Sequence, residues 1–179
     1  DTLKFVAGPQ TDYFRSPDGS VVNNSAVIFT EVDNTKPFTF TAKVQPEFTE
    51  TGTYSAGVIY AYENDTHCQK LCFEQDEYGD HRVVSVRTLG TSDDNNHQAI
   101  TAPYVYMRLS SDGTTLGSYF SEDGKIWRMA RLYKNDFPEK LLIGISSQSP
   151  KDNEHTCLFT EVSLTDKPVA DFRKGNIAE

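Results

Sequence analysis

The residues that could do chemistry in this 179-residue chain are a few strand-borne carboxylates, four histidines, three cysteines and one tryptophan. Glycoside hydrolysis needs two facing carboxyl groups, roughly 5–5.5 Å apart for retention and 6.5–9.5 Å for inversion. Glu74 and Asp76 are separated only by Gln75, yet Asp76 falls at a strand end beside Glu77 and Tyr78. Glu74 follows Lys70 by four residues, and Arg87 lies in the next strand segment. A paired, ionised carboxylate is therefore its expected state, suited to accepting hydrogen bonds from a ligand or to a structural salt bridge. Glu74 is only a weak catalytic candidate, and there is no other. Ser85 has no histidine in its strand pattern, and His67, His81, His97 and His155 are scattered over strand ends and loops.

Metal chemistry has two weak signals. His67, Cys68, Cys72, His155 and Cys157 could form a soft site only if their strands were neighbours, and alternation sends His67 and Cys68 to opposite faces. Cys68 and Cys72 on one strand would sit ~13 Å apart at ~3.3 Å per residue, too far for a disulfide. Either could still pair with Cys157, although ordinary buried thiols are the expectation. The stretch "TSDDNN", residues 91–96, is oxygen-rich like calcium loops but equally like a polar loop of Asx turns. No metal or cofactor is expected. "SEDGKIW", residues 121–127, nearly spells the Asp-box of sialidases. It lacks one residue of that spacing and occurs once where propellers repeat it, so Asp123-Gly124 reads as hairpin chemistry. Trp127 is separate, sharing a strand face with Met129, Arg131 and Tyr133.

The elements that would position these groups are strands. Segments rich in Val, Ile, Thr, Tyr and Phe run over 3–6, 26–31, 38–45, 54–62, 67–75, 82–89, 104–110, 115–121, 126–133, 140–146 and 155–164. Between them lie turn formers such as "SPDG", "EYGD" and "SSDG". Regular turn spacing and the lack of any helical apolar stripe point to an antiparallel sandwich or barrel. Alternation gives several strands an aliphatic face and a mixed one: Leu71 and Phe73 oppose Lys70, Cys72 and Glu74; Val84 and Val86 oppose Ser85 and Arg87; Met107 opposes Arg108. Such mixed faces fit a surface for a flat, hydroxyl-rich ligand, or a second minor core under long loops.

Composition narrows the partners. The net charge of −9 opposes phosphate backbones and anionic lipid, so neither nucleic acid nor membrane is expected. No apolar run reaches the ~18 residues of a membrane span. Residues 1–30 show no signal-peptide pattern, and secreted, periplasmic and cytoplasmic settings are all compatible.

The succession "TDYFRSPDG", "YSAGVIYAYEND", "KLCFE", "VVSVRTLGTSDD", "YMRL" and "YFSEDGKIWRMARLY" resembles a concanavalin A-like jelly-roll family labelled "regulation of enolase". The resemblance runs from about residue 3 to residue 164. It implies an all-β, concanavalin A-like jelly-roll β-sandwich of two antiparallel sheets with a concave face. One domain would span 1–166, with a C-terminal tail at 167–179. The matching positions are Asp12, Lys70, Glu74, Ser85, Ser92, Asp93, Arg108, Ser121, Asp123, Gly124, Trp127 and Arg131, with Ser92 and Asp93 bracing a pocket rim. Tyr60 and Cys72 depart from the pattern.

The expected function is non-catalytic recognition of carbohydrate or a similar polyhydroxylated molecule. The expected ligand-binding residues are Tyr60, Lys70, Glu74, Arg87, Ser92, Asp93, Arg108, Trp127 and Arg131. A glycoside hydrolase or lyase on the same face, and a protein-interaction or regulatory module, are the alternatives.

Overall fold

The computed structural model describes residues 1–178. Its strands are β1 (Thr2–Ala7), β2 (Tyr13–Arg15), β3 (Val21–Asn23), β4 (Ile28–Asp33), β5 (Phe38–Pro46), β6 (Ala56–Asn64) and β7 (His67–Gln75). They continue as β8 (His81–Leu89), β9 (Thr91–Ala99), β10 (Val105–Ser111), β11 (Thr115–Ser121), β12 (Arg128–Lys134), β13 (Lys140–Gln148) and β14 (His155–Thr165).

Two six-stranded antiparallel sheets form a jelly-roll-like sandwich. The first runs β1-β14-β5-β10-β11-β12, the second β4-β13-β6-β7-β8-β9. Their inner faces meet in a core of Phe40, Val44, Met107 and Leu109 from the first sheet and Ile59, Leu71, Phe73 and Ile143 from the second. Each fully buried side chain of this size contributes roughly 1.5–3 kcal/mol. Gly57 permits the close approach: a Cβ there would lie 2.3 Å from the Cys157 sulfur.

A second apolar cluster lies outside the sandwich. Ala56, Val58, Tyr60, Cys72, Val84 and Val86 point away from the first sheet. Tyr13 and Phe14 of the β2-β3 ribbon, with Phe29 and Tyr62, fold over part of this face. The three thiols are free and buried; Cys157 belongs to the inter-sheet core, Cys72 to the outer cluster.

Three expectations from the sequence change here. "TSDDNN" is not a loop: residues 91–99 form β9, paired along β8. In β8 the aliphatic pair Val84 and Val86 faces outward, while Ser85 points between the sheets with Val83. Both faces of β8 are buried, so its Val-Val run carries no clean alternation. In β12 a bulge breaks the period. Ser118 pairs with Arg131 and Tyr119 with Met129, leaving Ala130 unopposed. Arg131 is thereby turned inward toward Ser85, and Trp127 outward over Arg108.

Candidate functional site

The outer face of the second sheet is a grid set by register. One cross-strand row reads Gln148, Ala56, Glu74, Arg82; the next Ser146, Val58, Cys72, Val84, Asn96; the third Gly144, Tyr60, Lys70, Val86, Asp94. Small and apolar residues at the centre make a floor, and the polar ends of β7, β9 and β13 make walls. The result is a cleft of ≈ 1060 Å³ with Val84, Val86 and Phe14 against Lys70, Glu74 and Asp94. Gln10, Tyr54, Asn95, Asn96 and Gln148 complete much of its lining.

Lys70 is 3% exposed and extends its ammonium to Asp12 Oδ1 at 2.8 Å and Gln148 Oε1 at 3.1 Å. Burial opposes the charge, but Asp12 outweighs it and holds the Lys70 pKa well above its ordinary value. Asp12 Oδ1 also accepts the Tyr13 amide at 2.8 Å, so this ion pair ties the ribbon to the sheet. Gln148 Nε2 donates to the Tyr54 carbonyl at 2.9 Å.

Glu74 is different. Its side chain lines the cleft, the residue is 9% exposed, and it has no salt-bridge partner among the described residues. The cross-strand neighbour Arg82 turns instead to Asp76, at 2.7 Å, and to the His97 carbonyl. Burial pushes the Glu74 pKa up to about 8; Lys70 pulls it down, while Asp12, Asp94 and Glu77 push it further up. The carboxyl is thus mostly protonated at neutral pH, a hydrogen-bond donor as well as an acceptor. This overturns the ionised, paired state expected from the sequence: Lys70 is committed elsewhere, and Arg87 points to the other side of the strand. Asp94, across the floor, is also raised, chiefly by desolvation.

Backbone strain marks the same place. Of the three non-glycine residues in the left-handed region among those described, Gln10 (φ 53°) and Tyr54 (φ 64°) line the cleft, and Glu161 (φ 50°) sits at the irregularity of β14 in the first sheet. Such conformations cost of order 1–3 kcal/mol each and gather at ligand-binding sites.

Of the residues expected to bind ligand, Lys70 and Glu74 reach the cleft. Tyr60 lies beneath its floor, fully buried, with a hydroxyl that has no protein partner. Ser92 is buried and accepts the Arg15 amide at 3.0 Å, fastening the ribbon to β9. The others belong elsewhere. Arg87 pairs with Asp136 at 2.7 Å and stacks on Tyr133, and Arg131 joins Ser85 to Asp93 at the edge between the sheets. Arg108 and Trp127 sit on the outer face of the first sheet, with the guanidinium 3.7 Å over the indole.

That face is covered by the chain's own C-terminal segment. Arg108 donates to the Gly175 carbonyl at 2.6 Å and Tyr119 to that of Phe172 at 2.7 Å, while Val169 is buried with its amide on Ser110 Oγ. The turn before Trp127 is scaffold: Asp123 Oδ1 accepts the Lys125 and Ile126 amides, and Gly124 has φ 72°.

Tyr54, Asp94, Asn95, Asn96 and Gln148 were missed as ligand candidates. Their signal is three-dimensional, since they converge from the loop before β6, from β9 and from β13. Two serine–histidine contacts were also invisible: Ser85 Oγ to His97 Nε2 and Ser147 Oγ to His155 Nδ1, both 2.8 Å. Both serines are at most 1% exposed, and Ser85 already accepts from Arg131, so neither is an accessible nucleophile. Among the described residues no group of three or more His, Cys, Asp or Glu side chains could hold a metal ion.

Solved structures place the fold in company. A functionally unknown protein from Saccharomyces cerevisiae is 23% identical, over 92% of this chain and 88% of that one, with a TM-score of 0.83. The GH43 protein BlXynB from Bacillus licheniformis is 14% identical over 92% of this chain and 33% of its own, with a TM-score of 0.70. A xylan beta-1,4-xylosidase from Bacillus halodurans C-125 gives 14%, 92%, 32% and 0.70. At these identities the likeness establishes fold alone, and the chain spans about a third of each of the two larger proteins. No curated protein sequence matches it. The family described as "Protein of unknown function (DUF1349)" matches residues 1–167, nearly the whole chain, and the protein belongs to that family.

Proposed function

We propose that the protein binds carbohydrate, or a similar polyhydroxylated molecule, in the cleft on the outer face of the second sheet. The observation that carries this reading is the Glu74 carboxyl, nine-tenths buried yet unpaired, at the edge of an apolar floor flanked by amides and carboxyls. A sugar has a C–H face for Val84, Val86 and Phe14, and hydroxyls for Glu74, Asp94, Asn95 and Asn96. The xylan beta-1,4-xylosidase, about a third of which has a similar fold, is named for a glycan, and that analogy is compatible with the reading.

Binding is favoured over hydrolysis. Glu74 and Asp94 lie two strands and four residues apart, ~16 Å between Cα atoms on a flat grid, so their carboxyls would come within glycosidase spacing only with both side chains extended toward each other. The carboxyl spacing of a glycosidase is at most ~9.5 Å. Asp12 is no substitute, being engaged by Lys70 and the Tyr13 amide. A regulatory role of the kind in the label "regulation of enolase" would call for a protein-docking surface, and a concave cleft suits a small ligand better.

A glycan array tests this with wild type, an Asn95→Ala/Asn96→Ala double variant and Trp127→Ala. Wild type and Trp127→Ala should share a binding profile that the double variant loses. Loss in Trp127→Ala with retention in the double variant would sink the assignment to this cleft.

A further inference from the structure

The cleft carries four carboxyl groups, Asp12, Glu74, Glu77 and Asp94, against two ammoniums, Lys70 and Lys151. Asp12 and Lys70 neutralise each other at 2.8 Å, so Lys70 does not repel a second cation as a free ammonium would. Glu77, Asp94 and Lys151 are exposed at the rim. Below them, Glu74 is nine-tenths buried and unpaired, because Arg82, its cross-strand neighbour, is held by Asp76. The other groups acting on Glu74 are Lys70 on its own strand, Asp12 from the segment before β2, Asp94 on β9 and Glu77 in the following turn. Among them the one cation already has two acceptors. A buried carboxyl left in this state gains most from a ligand that brings its own positive charge.

We propose that the cleft prefers a ligand presenting a protonated amine to Glu74, that is, an amino sugar of the glucosamine type rather than a neutral or uronic acid unit. The inference rests on the carbohydrate reading and deepens it. The amine lies between Glu74 and the Asp94 side of the cleft, the ring covers Val84 and Val86, and hydroxyls meet Asn95 and Asn96. On binding, Glu74 gives its proton to the buffer and becomes the carboxylate partner of the ligand ammonium. A uronic acid would instead place its carboxylate against Asp94 and Glu77.

Isothermal titration calorimetry decides between these classes. The probes are a glucosamine oligomer, its N-acetylated counterpart and an oligogalacturonate, each near pH 6, about two units below the Glu74 value. Two buffers of different ionisation enthalpy report the protons released. The glucosamine oligomer should bind about tenfold more tightly than the other two, equivalent to ~1.4 kcal/mol, and release up to one proton. Glu74→Gln should erase both the preference and the proton release. Asp94→Asn, at an exposed position, should weaken the preference without endangering the fold. Equal or tighter binding of the acetylated or uronic oligomer overturns the inference and leaves the carbohydrate reading standing. So does an amine preference with no proton release that survives Glu74→Gln. If no oligosaccharide binds, both readings fall.

Discussion

The two outer faces of this sandwich bury charge in opposite ways. On the first sheet, Arg108 is 4% exposed, and its guanidinium is bonded to Thr41 Oγ1 and the Gly175 carbonyl and stacked on Trp127. The covering segment is part of the same chain, and its carbonyls and amides are aimed at Arg108, Tyr119 and Ser110. On the second sheet the covering ribbon is shorter, and it leaves a cleft of ≈ 1060 Å³. There the buried polar side chains divide into an ion pair, Lys70 with Asp12, and a carboxyl open to the cleft without a protein partner, Glu74. A closed face satisfies its polar groups internally, whereas a binding face holds one back for its ligand. Residue types alone do not separate the two, because both combine aromatic, basic and hydroxyl-bearing side chains.

The largest expected effect comes from removing the charge that Glu74 must carry in alkali. Its pKa is raised from 4.5 to about 8 on folding. Stability from this group is therefore fully present below pH 4.5 and is lost as pH rises through about 8. Glu74→Gln should consequently gain stability over wild type about a unit above that value, by an amount on the order of 5 kcal/mol relative to their difference at low pH. Below pH 4.5 the two should converge. Urea denaturation across pH gives the comparison, and parallel curves would mean that burial does not hold the Glu74 carboxyl protonated.

A smaller effect is expected on the closed face. Gly175 has φ 74°, and a Cβ there would lie 2.4 Å from Tyr119 Cδ1. Gly175→Ala should cost roughly 1–3 kcal/mol and loosen the C-terminal segment, seen as faster hydrogen exchange at the Val169 amide. Trp127→Ala, which removes the stacking on Arg108, should cost about 1 kcal/mol. Neither should alter binding in the cleft. If either abolishes it, the two faces are not independent.

The fold was legible because strand alternation and turn residues are local properties. The segments read at 67–75 and 115–121 coincide with β7 and β11. β2, β3 and β9 escaped: the first two are three-residue strands, and β9 is a polar edge strand made by pairing rather than by propensity. The site was half legible. Lys70 and Glu74 stood out on the mixed face of β7, but their partners did not, because Asp12 and Gln148 lie 58 and 78 residues away from Lys70. Trp127 misled for a definite reason. The unopposed Ala130 shifts the period of β12, so Trp127 and Arg131, which share a face in strict alternation, point to opposite sides. Arg82 shows the same limit, since whether it pairs with Glu74 or Asp76 depends on the turn that brings Asp76 back toward it.

The most direct test of which face binds is residue-by-residue chemical-shift mapping with a glycan that scores on the array. Perturbed amides should cluster at Tyr54, on Cys72 and Glu74 of β7, on Val84 and Val86 of β8, and on Asp94–Asn96 of β9. Perturbations centred on Arg108, Tyr119, Trp127 and residues 167–178, with the cleft silent, would contradict binding in the cleft.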